Sequence, residues 1–315
     1  MTQQLNVKSF VKVIPAKNKS AEKLNLLTKF IDGVQAYGDN GSVCNSMQYE
    51  PCDVAIIQGW THEFGKEAPH LRLRQQIIET QIQNNKFVCT ADSNLFLYAN
   101  TTNSPHHYLR YSFNGVFRNT GTYFDTEVDP KRWQQISNDT GIKLEPMKDY
   151  GTNIILCLQR NGGWSLGKTS VKDWVNNTIQ DIRLYSSRPI IIRPHPGDKR
   201  SYTYMKDIEK RYAFDKSVRV SYNRDLRLDL QNAYAVVNHN SSSIVGPIIQ
   251  GYHAFITDAE KSQCAQVAHL GFERLENPIM MNRQKWLERI SMFHWKFSEL
   301  EDGSAWSHMR NYVVQ

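Results

Sequence analysis

The 315-residue sequence has no long apolar run, and no stretch approaches the roughly 20 consecutive apolar residues that a membrane-spanning helix needs. Its first residues, MTQQLNVKSFVKVI, lack the hydrophobic block of a signal peptide. We therefore expect a chain without a membrane span that stays in the cytoplasm. Hydrophobic residues make up 40% of the sequence, which is enough for a packed globular core.

Cysteine is scarce as well. The sequence holds five cysteines, an odd number, and no C-x-x-C pair. This scattered set argues against a disulfide framework and against a zinc site. The sequence also lacks a D-x-D motif, internal repeats and low-complexity tracts. We therefore predict no metal-binding residues and a fold that depends on a packed core.

Basic residues only slightly outnumber acidic ones, since 38 Lys and Arg against 31 Asp and Glu give a formal net charge of +7. Residues 1–150 hold 16 basic and 15 acidic residues, which leaves 22 and 16 for residues 151–315. A basic surface favours polyanions such as nucleic acid, nucleotides or anionic lipid. An excess of this size is common in ordinary proteins, so it does not decide among these partners.

The second half of the chain alternates apolar strands with amphipathic helices. The predicted strands are residues 153–158, 189–193, 218–220, 233–237 and 254–257, and the predicted helices are residues 171–186, 202–212, 225–231 and 243–250. This alternation predicts a parallel sheet with helices on both faces. Such sheets bind ligands at the carboxyl ends of their strands, where the polar clusters of this half lie.

The first half is less regular but has the same kinds of element. The predicted strands are residues 10–14, 54–57 and 86–89, and the predicted helices are residues 21–34 and 71–83. We predict two α/β domains, residues 1–149 and residues 150–315, with the C-terminal helices in the second domain.

A glycine-containing loop, RNGGWSLGKTS at residues 160–170, follows the first strand of the second half. Residues 162–169 match the phosphate-binding pattern G-x-x-x-x-G-K-[ST]. Residues 163–167 match the hydrolase nucleophile pattern G-x-S-x-G. Both patterns must begin directly at the end of a strand, and the hydrolase pattern fails because its serine lies too far along the loop.

The distance from the strand also weakens the P-loop interpretation, because Gln159, Arg160 and Asn161 separate the strand from the first glycine. A P-loop NTPase or kinase stays open as an alternative. A second interpretation is a loop that only caps the following helix. A third is a loop whose Arg160, Gly162 and Gly163 contact a phosphate without being an NTPase.

Two more polar clusters end strands of this half. In R-P-H-P-G-D, at residues 193–198, two prolines hold Arg193 and His195 where a histidine can donate to a phosphate. In N-H-N-S-S-S, at residues 238–243, His239 and three serines open the next helix, whose N-terminus favours anions. A simple turn histidine and a single capping serine are the alternatives.

Three motifs then occur in a specific order and spacing: R-P-H-P at residues 193–196, H-N-S-S-S at residues 239–243 and G-P-I-I-Q-G-Y-H-A-F-I-T at residues 246–257. Together they resemble the nucleotide-sugar half of GT-B glycosyltransferases, especially the capsule-polysaccharide and sialyltransferase-like branch with its His-Pro and Ser-Ser motifs. The resemblance covers residues 150–310. His253-Ala254 departs from the family, which often has Gly-x-Pro there.

The resemblance implies an α/β fold of two Rossmann-like domains facing a cleft, as in GT-B enzymes. It also implies that His195 and the serines at 241 to 243 grip the phosphates of the donor nucleotide. The predicted nucleotide-sugar site is Arg160, Gly162, Gly163, Arg193, His195, His239, Ser241, Ser242 and Ser243. We predict a UDP-linked sugar as substrate, no separate cofactor, and protein donors in place of a metal at the departing phosphate.

The first half should then hold the acceptor and a base that takes the proton of its hydroxyl group. Candidate bases lie at the ends of predicted strands: Asp92 follows residues 86–89, and His62 and Glu63 follow residues 54–57. Capping of a helix is the alternative role for Asp92.

Residues 106–118 interleave aromatic and basic side chains, as nucleic-acid grooves often do. We predict Arg110, Asn114 and Arg118 as acceptor-binding residues. Phage enzymes that put glucose or arabinose on hydroxymethylated cytosine in DNA are similar GT-B proteins, so we predict this function, in the host cytoplasm. The alternatives are a capsule or surface-polysaccharide glycosyltransferase, the P-loop enzyme, and a non-catalytic nucleic-acid-binding protein.

Overall fold

A computed structural model describes residues 3–11, 21–61, 69–96, 108–123, 127–161, 165–223 and 225–314. The chain divides into two compact units. Unit 1 comprises Met1–Ile142 and Leu287–Gln315, and unit 2 comprises Lys143–Trp286. The predicted domain limits therefore need correction, because the boundary falls after residue 142 and the chain beyond residue 286 belongs to unit 1.

The helices and strands follow in chain order. The first part of unit 1 contains β1 (Asn6–Phe10), α1 (Ala21–Tyr37), β2 (Asn40–Cys44), β3 (Val54–Gln58), α2 (Pro69–Gln83), β4 (Phe87–Asp92), β5 (Tyr108–Phe113) and α3 (Pro130–Thr140). Unit 2 contains β6 (Asn153–Cys157), α4 (Val171–Arg183), β7 (Ile190–Arg193), α5 (Tyr202–Arg211), β8 (Val218–Val220), α6 (Leu226–Leu230), β9 (Ala233–Asn238), a 3-10 turn (Ser242–Ile244), α7 (Val245–Ile249), β10 (His253–Ile256) and β11 (His269–Leu270). The chain continues with α8 (Arg283–Ser291), β12 (His294–Lys296), α9 (Phe297–Glu301) and α10 (Ser304–Arg310).

The sheet of unit 1 has the strand order β12-β5-β4-β3-β1-β2. The strands from β2 to β4 pair in parallel, whereas β5 and β12 are antiparallel to their neighbours. The C-terminal segment belongs to this unit because β12 completes the sheet. In addition, Arg310 on α10 forms a buried ion pair with Asp39 (Nε to Oδ2, 2.7 Å).

The sheet of unit 2 has the strand order β11-β10-β9-β6-β7-β8, and every pairing in it is parallel. This is the doubly wound order of dinucleotide-binding folds, in which the direction of winding reverses between the first and fourth strands. All residues of β6 and β9 are buried, because helices and neighbouring strands surround these two central strands. The reversal therefore lies between the carboxyl ends of β6 and β9.

The predicted α/β class with two Rossmann-like domains is confirmed, since each unit carries a six-stranded sheet, all-parallel in unit 2 and mainly parallel in unit 1. Within the described ranges, no helix has both the length and the apolar character needed to cross a membrane.

Candidate functional site

The carboxyl ends of β6 and β9 carry two buried amide side chains that bind each other. Gln159, just beyond β6, donates from Nε2 to Oδ1 of Asn240 (2.8 Å), and the backbone N–H of Asn240 donates to Oε1 of Gln159 (3.3 Å). Gln159 also donates to the hydroxyl of Ser165 (2.6 Å), and Asn240 Nδ2 donates to the Ser165 carbonyl (3.0 Å) and to Asp258 Oδ2 (2.8 Å). The loops after β6, β9 and β10 are thus joined at the point where a doubly wound sheet binds ligands.

The loop after β6 is also held to the loop after β7. The backbone N–H of Asn161 donates to Oδ2 of buried Asp198 (3.1 Å), and Arg160 Nη2 donates to the Gly197 carbonyl (3.1 Å). Tyr204 on α5 donates its hydroxyl to the same Asp198 oxygen (2.8 Å). The structure therefore brings Arg160 beside the R-P-H-P loop. Gly162 and Gly163 lie outside the described residues, so their predicted contact with phosphate stays a prediction.

His195 is half-buried in this loop, and its Nδ1 accepts a hydrogen bond from the Gly197 backbone N–H (3.0 Å). Burial lowers the pKa of His195, the charge of Arg160 lowers it further, and Asp198 opposes both effects. The neutral ring is therefore favoured, with its proton on Nε2. In the part of the chain that the structure describes, Nε2–H has no hydrogen-bond partner, so it is free to donate to a ligand.

Arg193 has a different environment from the one predicted. Its guanidinium is buried and forms an ion pair with Asp229 (Nη1 to Oδ2, 2.5 Å), and it donates to the Asn223 carbonyl (2.9 Å). These contacts tie the end of β7 to the start of α6. The structure therefore shows Arg193 in contact with Asp229 and the Asn223 carbonyl, and its role in nucleotide binding stays a prediction.

The serine cluster divides into residues with different contacts. Ser241 caps the 3-10 turn, since its hydroxyl accepts from the Ser243 backbone N–H (3.2 Å). The Ser243 hydroxyl lies 3.4 Å from Nδ2 of buried Asn238, which donates mainly to the Ser241 carbonyl (2.7 Å). The Ser242 hydroxyl is half-buried and has no hydrogen-bond partner within the described residues. The Ser242 hydroxyl is therefore available to bind a ligand, whereas the Ser241 hydroxyl already accepts a hydrogen bond from the backbone.

His239 lies between β10 and α4. Its Nδ1 is 2.6 Å from the Thr257 hydroxyl, which also accepts from Trp174 Nε1 (2.9 Å), and its Nε2 is 3.7 Å from Asp258 Oδ2. Burial lowers the pKa of His239, while Asp258 raises it and Lys261 lowers it. These contacts fix the ring beside the Asn240 network, and neither Thr257 nor Asp258 belongs to the predicted nucleotide-sugar site.

The P-loop pattern does not fit the backbone that follows it. In a phosphate-binding loop the lysine and the hydroxyl residue open the helix. Here α4 begins only at Val171, because the Ser170 hydroxyl accepts from the Asp173 backbone N–H (3.0 Å) and caps it. Lys168 and Thr169 are exposed and precede this cap.

At the carboxyl end of β4 in unit 1, Asp92 forms an ion pair with Arg110 (Oδ2 to Nη2, 2.6 Å). Its other oxygen accepts from the Ser93 backbone N–H (2.7 Å). A carboxylate with both oxygens engaged has lost part of its capacity to take a hydroxyl proton. The other candidate bases, His62 and Glu63, lie outside the described residues, and all three roles stay predictions.

The predicted acceptor-binding residues belong to β5 and the turn after it. Arg110 faces Asp92, and Asn114 takes a left-handed backbone conformation (φ 56°) while its Oδ1 accepts from the Val88 backbone N–H (2.9 Å). Arg118 is exposed. Most aromatic side chains of the described part of residues 106–118 are buried, so this segment is sheet core and not an exposed groove.

Arg74 on α2 was missed by the sequence analysis. It is half-buried near the ends of β3 and β4, and its Nη1 donates to the Trp60 carbonyl (3.1 Å). A single arginine on a helix carries no local signal of such a position.

Over the described ranges, no group of three or more His, Cys, Asp or Glu side chains is placed to hold a metal ion.

No family model matches the chain, and no curated protein matches it. Among solved structures, it is similar to the β-Kdo 2,4-transferase of Thermosulfurimonas dismutans KpsC, with a TM-score of 0.55, 11% identity and 99% of each chain covered. It is also similar to the β-Kdo 2,7-transferase of the same KpsC, with a TM-score of 0.51, 10% identity, 95% of this chain and 98% of that chain covered. The chain shares the fold of these two structures. At this identity the similarity concerns the fold alone, and it agrees with the predicted GT-B-like class.

Proposed function

We propose that the chain is a glycosyltransferase that binds a nucleotide sugar at the carboxyl edge of the unit 2 sheet and transfers the sugar to a hydroxyl acceptor. One observation carries the proposal. At the reversal point of a doubly wound sheet, the loops after β6, β7 and β9 present Arg160, the Nε2–H of His195 and the Ser242 hydroxyl, all with donors available to a ligand.

These donors suit the phosphates of a sugar nucleotide. Transfer of the sugar leaves negative charge on a diphosphate or monophosphate, and preorganised donors lower the cost of that charge. We propose a UDP-linked donor and leaving-group stabilisation by protein groups instead of a metal. Transfer that persists in excess EDTA would support the second part, and activity that depends on added Mg²⁺ would refute it.

The acceptor has two candidates. Hydroxymethylated cytosine in DNA follows from the predicted basic and aromatic segment of unit 1. A saccharide of a capsule or other surface polysaccharide is the second candidate. It is favoured by the names of the two KpsC structures, which are Kdo transferases, and by the burial of β5, which leaves less of residues 106–118 to contact nucleic acid.

The donor is tested by thermal unfolding in the presence of UDP, CMP, GDP and ATP, their sugar conjugates, and Mg²⁺. We expect at least one sugar nucleotide to raise the Tm of the wild-type chain and to raise that of His195→Ala much less. His253→Ala is the matched control, because His253 is half-buried at the amino end of β10, on the opposite edge of the same sheet. Stabilisation by ATP with Mg²⁺ alone, with a normal response from His195→Ala, would overturn the proposal.

The acceptor is tested with the stabilising donor, labelled in the sugar. Label incorporated into hydroxymethylcytosine DNA but not into unmodified DNA would support the DNA acceptor. Label incorporated into an oligosaccharide and not into DNA would support the polysaccharide acceptor. Hydrolysis of the donor with no incorporation into either class would count against both.

A further inference from the structure

Arg74 is a charged side chain whose environment in unit 1 leaves most of its donors unused. A guanidinium has five N–H donors and no acceptor. Within the described residues, the one hydrogen bond of Arg74 joins Nη1 to the Trp60 carbonyl (3.1 Å), and no carboxylate forms an ion pair with it. The side chain is nevertheless half-buried.

The backbone places this guanidinium at the carboxyl end of the parallel strands. Gly59 follows β3 in a left-handed conformation (φ 71°), and its backbone N–H donates to the Ala91 carbonyl of β4 (2.7 Å). A Cβ atom at position 59 would lie 3.6 Å from Arg74 Nη1. The guanidinium therefore lies close to the end of β3, at the sheet edge where α/β folds bind ligands.

Among the described residues, Asp92 is the acidic side chain whose charge acts on Arg74, and it does not compensate for the guanidinium. Asp92 attracts it, but Asp92 already forms an ion pair with Arg110. Burial is the larger influence on Arg74 and lowers its pKa in spite of Asp92. Two further polar atoms nearby are buried without a hydrogen-bond partner in the described part of the chain: Nε of Arg110, and Oγ1 of Thr90, which shares the Asp92 side of β4.

A partly buried cation without a counter-charge costs folding free energy, so its presence requires another explanation. We propose that Arg74 is the centre of an oxyanion-binding site in unit 1, which takes the carboxylate or phosphate group of a small ligand. A guanidinium holds such a planar or tetrahedral oxyanion through two parallel N–H bonds. That the oxyanion belongs to the sugar acceptor rests on the proposed function; the site itself does not.

A sugar acid or sugar phosphate fits this site better than DNA. Arg74 is a single cation beside an acidic side chain, and residues 1–150 are almost neutral, with 16 basic and 15 acidic residues. Binding to a DNA backbone needs several Lys or Arg side chains that contact successive phosphates. One oxyanion on a small molecule needs only one guanidinium.

The first test needs no ligand and distinguishes a binding role from a structural one. Arg74→Gln removes the uncompensated charge and keeps a donor for the Trp60 carbonyl, so we expect its Tm to equal or exceed that of the wild-type chain. Lys131→Gln is the matched control, because it removes an exposed positive charge from another helix of unit 1, and it should leave the Tm unchanged. A clear fall in Tm for Arg74→Gln alone would show that Arg74 stabilises the fold and would overturn the proposal.

The second test measures binding by calorimetry, without a sugar donor. The probes are glucuronic acid, glucose 6-phosphate, glucose and a short single-stranded DNA. We expect one of the two charged sugars to bind the wild-type chain and to lose at least tenfold in affinity in Arg74→Gln, with partial recovery in Arg74→Lys and no binding of glucose. The charged sugar that binds with the higher affinity shows whether the site takes a carboxylate or a phosphate group.

Two outcomes would overturn the proposal: equal affinity of both charged sugars for the wild-type chain and Arg74→Gln, or an effect of Arg74→Gln on DNA binding alone. Failure of the proposed function is a separate result. If no sugar nucleotide stabilises unit 2 but a charged sugar binds through Arg74, the glycosyltransferase assignment fails while the oxyanion site stands.

Discussion

Gln159 and Asn240 are 81 residues apart in sequence and hydrogen-bond to each other in both directions across the reversal point of the unit 2 sheet (2.8 and 3.3 Å). Both side chains are buried, and every N–H of their two amide groups has an acceptor. Satisfied buried networks of this kind hold a single geometry, because any rearrangement leaves a polar group without a partner. The pair therefore sets the position of Ser165.

We predict that Gln159→Glu lowers kcat/KM for the sugar nucleotide by roughly tenfold to a hundredfold, since small displacements of binding groups cost rates of that order. The substitution keeps the size of the side chain but puts a carboxylate oxygen against Oδ1 of Asn240. Asn232→Asp is the matched control at the amino end of β9, where the side chain is exposed. Steady-state kinetics and hydrogen exchange of the peptide 158–170 provide the measurements.

Faster hydrogen exchange in that peptide together with lower kcat/KM would agree with a positioning role for Gln159. Wild-type kinetics in Gln159→Glu would contradict it. The positioning role would also be contradicted if Gln159→Glu lost activity only in proportion to its lower Tm, with no change in the hydrogen exchange of this peptide.

Ser241 and Ser242 should respond differently to the same substitution. Ser241→Ala removes the cap of the 3-10 turn and should cost about 1 kcal/mol of unfolding free energy. Ser242→Ala removes a hydroxyl without a partner in the described residues, so it should leave stability unchanged and weaken nucleotide binding by roughly tenfold, the value of one hydrogen bond to a charged group. Urea unfolding and calorimetry with the best nucleotide check both, and equal effects of the two substitutions on binding would refute the distinction.

Lys168→Ala tests the P-loop alternative. Because Lys168 is exposed and precedes the capped start of α4, we expect the variant to bind the sugar nucleotide with an affinity within about twofold of the wild-type value. A P-loop enzyme would instead lose ATP binding and activity together, since its lysine reaches the outer phosphates. Loss of ATP-dependent stabilisation in Lys168→Ala would revive that alternative.

The sequence was sufficient to predict the sheet of unit 2 and the polar residues that meet at the edge where we propose the ligand site. Strands buried on both faces are continuous apolar runs, so Ile154 to Cys157 and Ala233 to Val237 stand out, and the polar residues after them necessarily meet at one edge. The pairing of Gln159 with Asn240 could not be predicted, because amides without charge or periodicity carry no signal of a partner far along the chain.

The first half shows why composition alone is insufficient. The alternation of aromatic and basic side chains in residues 106–118 predicted a nucleic-acid groove, but β5 lies between β4 and β12, so Tyr108 and Tyr111 are buried in the sheet. The sequence gives no indication that Leu109 pairs with Trp295, 186 residues further along the chain, because this pairing arises only in the tertiary fold. Because β12 pairs with β5, the helices α9 and α10 that follow β12 belong to unit 1 and not to the predicted second domain.

His294, in this same strand β12, is fully buried between two backbone groups. Its Nε2 accepts from the Leu95 backbone N–H (3.0 Å), and its Nδ1 donates to the Ile290 carbonyl (2.6 Å). The neutral ring is therefore required. Burial, with Arg110 and Arg132 nearby, lowers the pKa of His294 to about 3, and the bond to Ile290 only partly opposes this effect.

We predict that His294 makes the chain sensitive to acid. Its pKa is near 6.5 in the unfolded chain and about 3 in the folded one, so between these values the unfolded state binds more protons. The free energy of unfolding should therefore fall as the pH drops from about 6.5 towards 3, by up to about 1.4 kcal/mol per pH unit from this residue. His294→Gln cannot take up a proton, so it should be less stable at pH 7 but should lose less on acidification. Urea unfolding at pH 7, 6, 5 and 4 measures both slopes, and identical slopes for the two chains would show that His294 is not the group responsible.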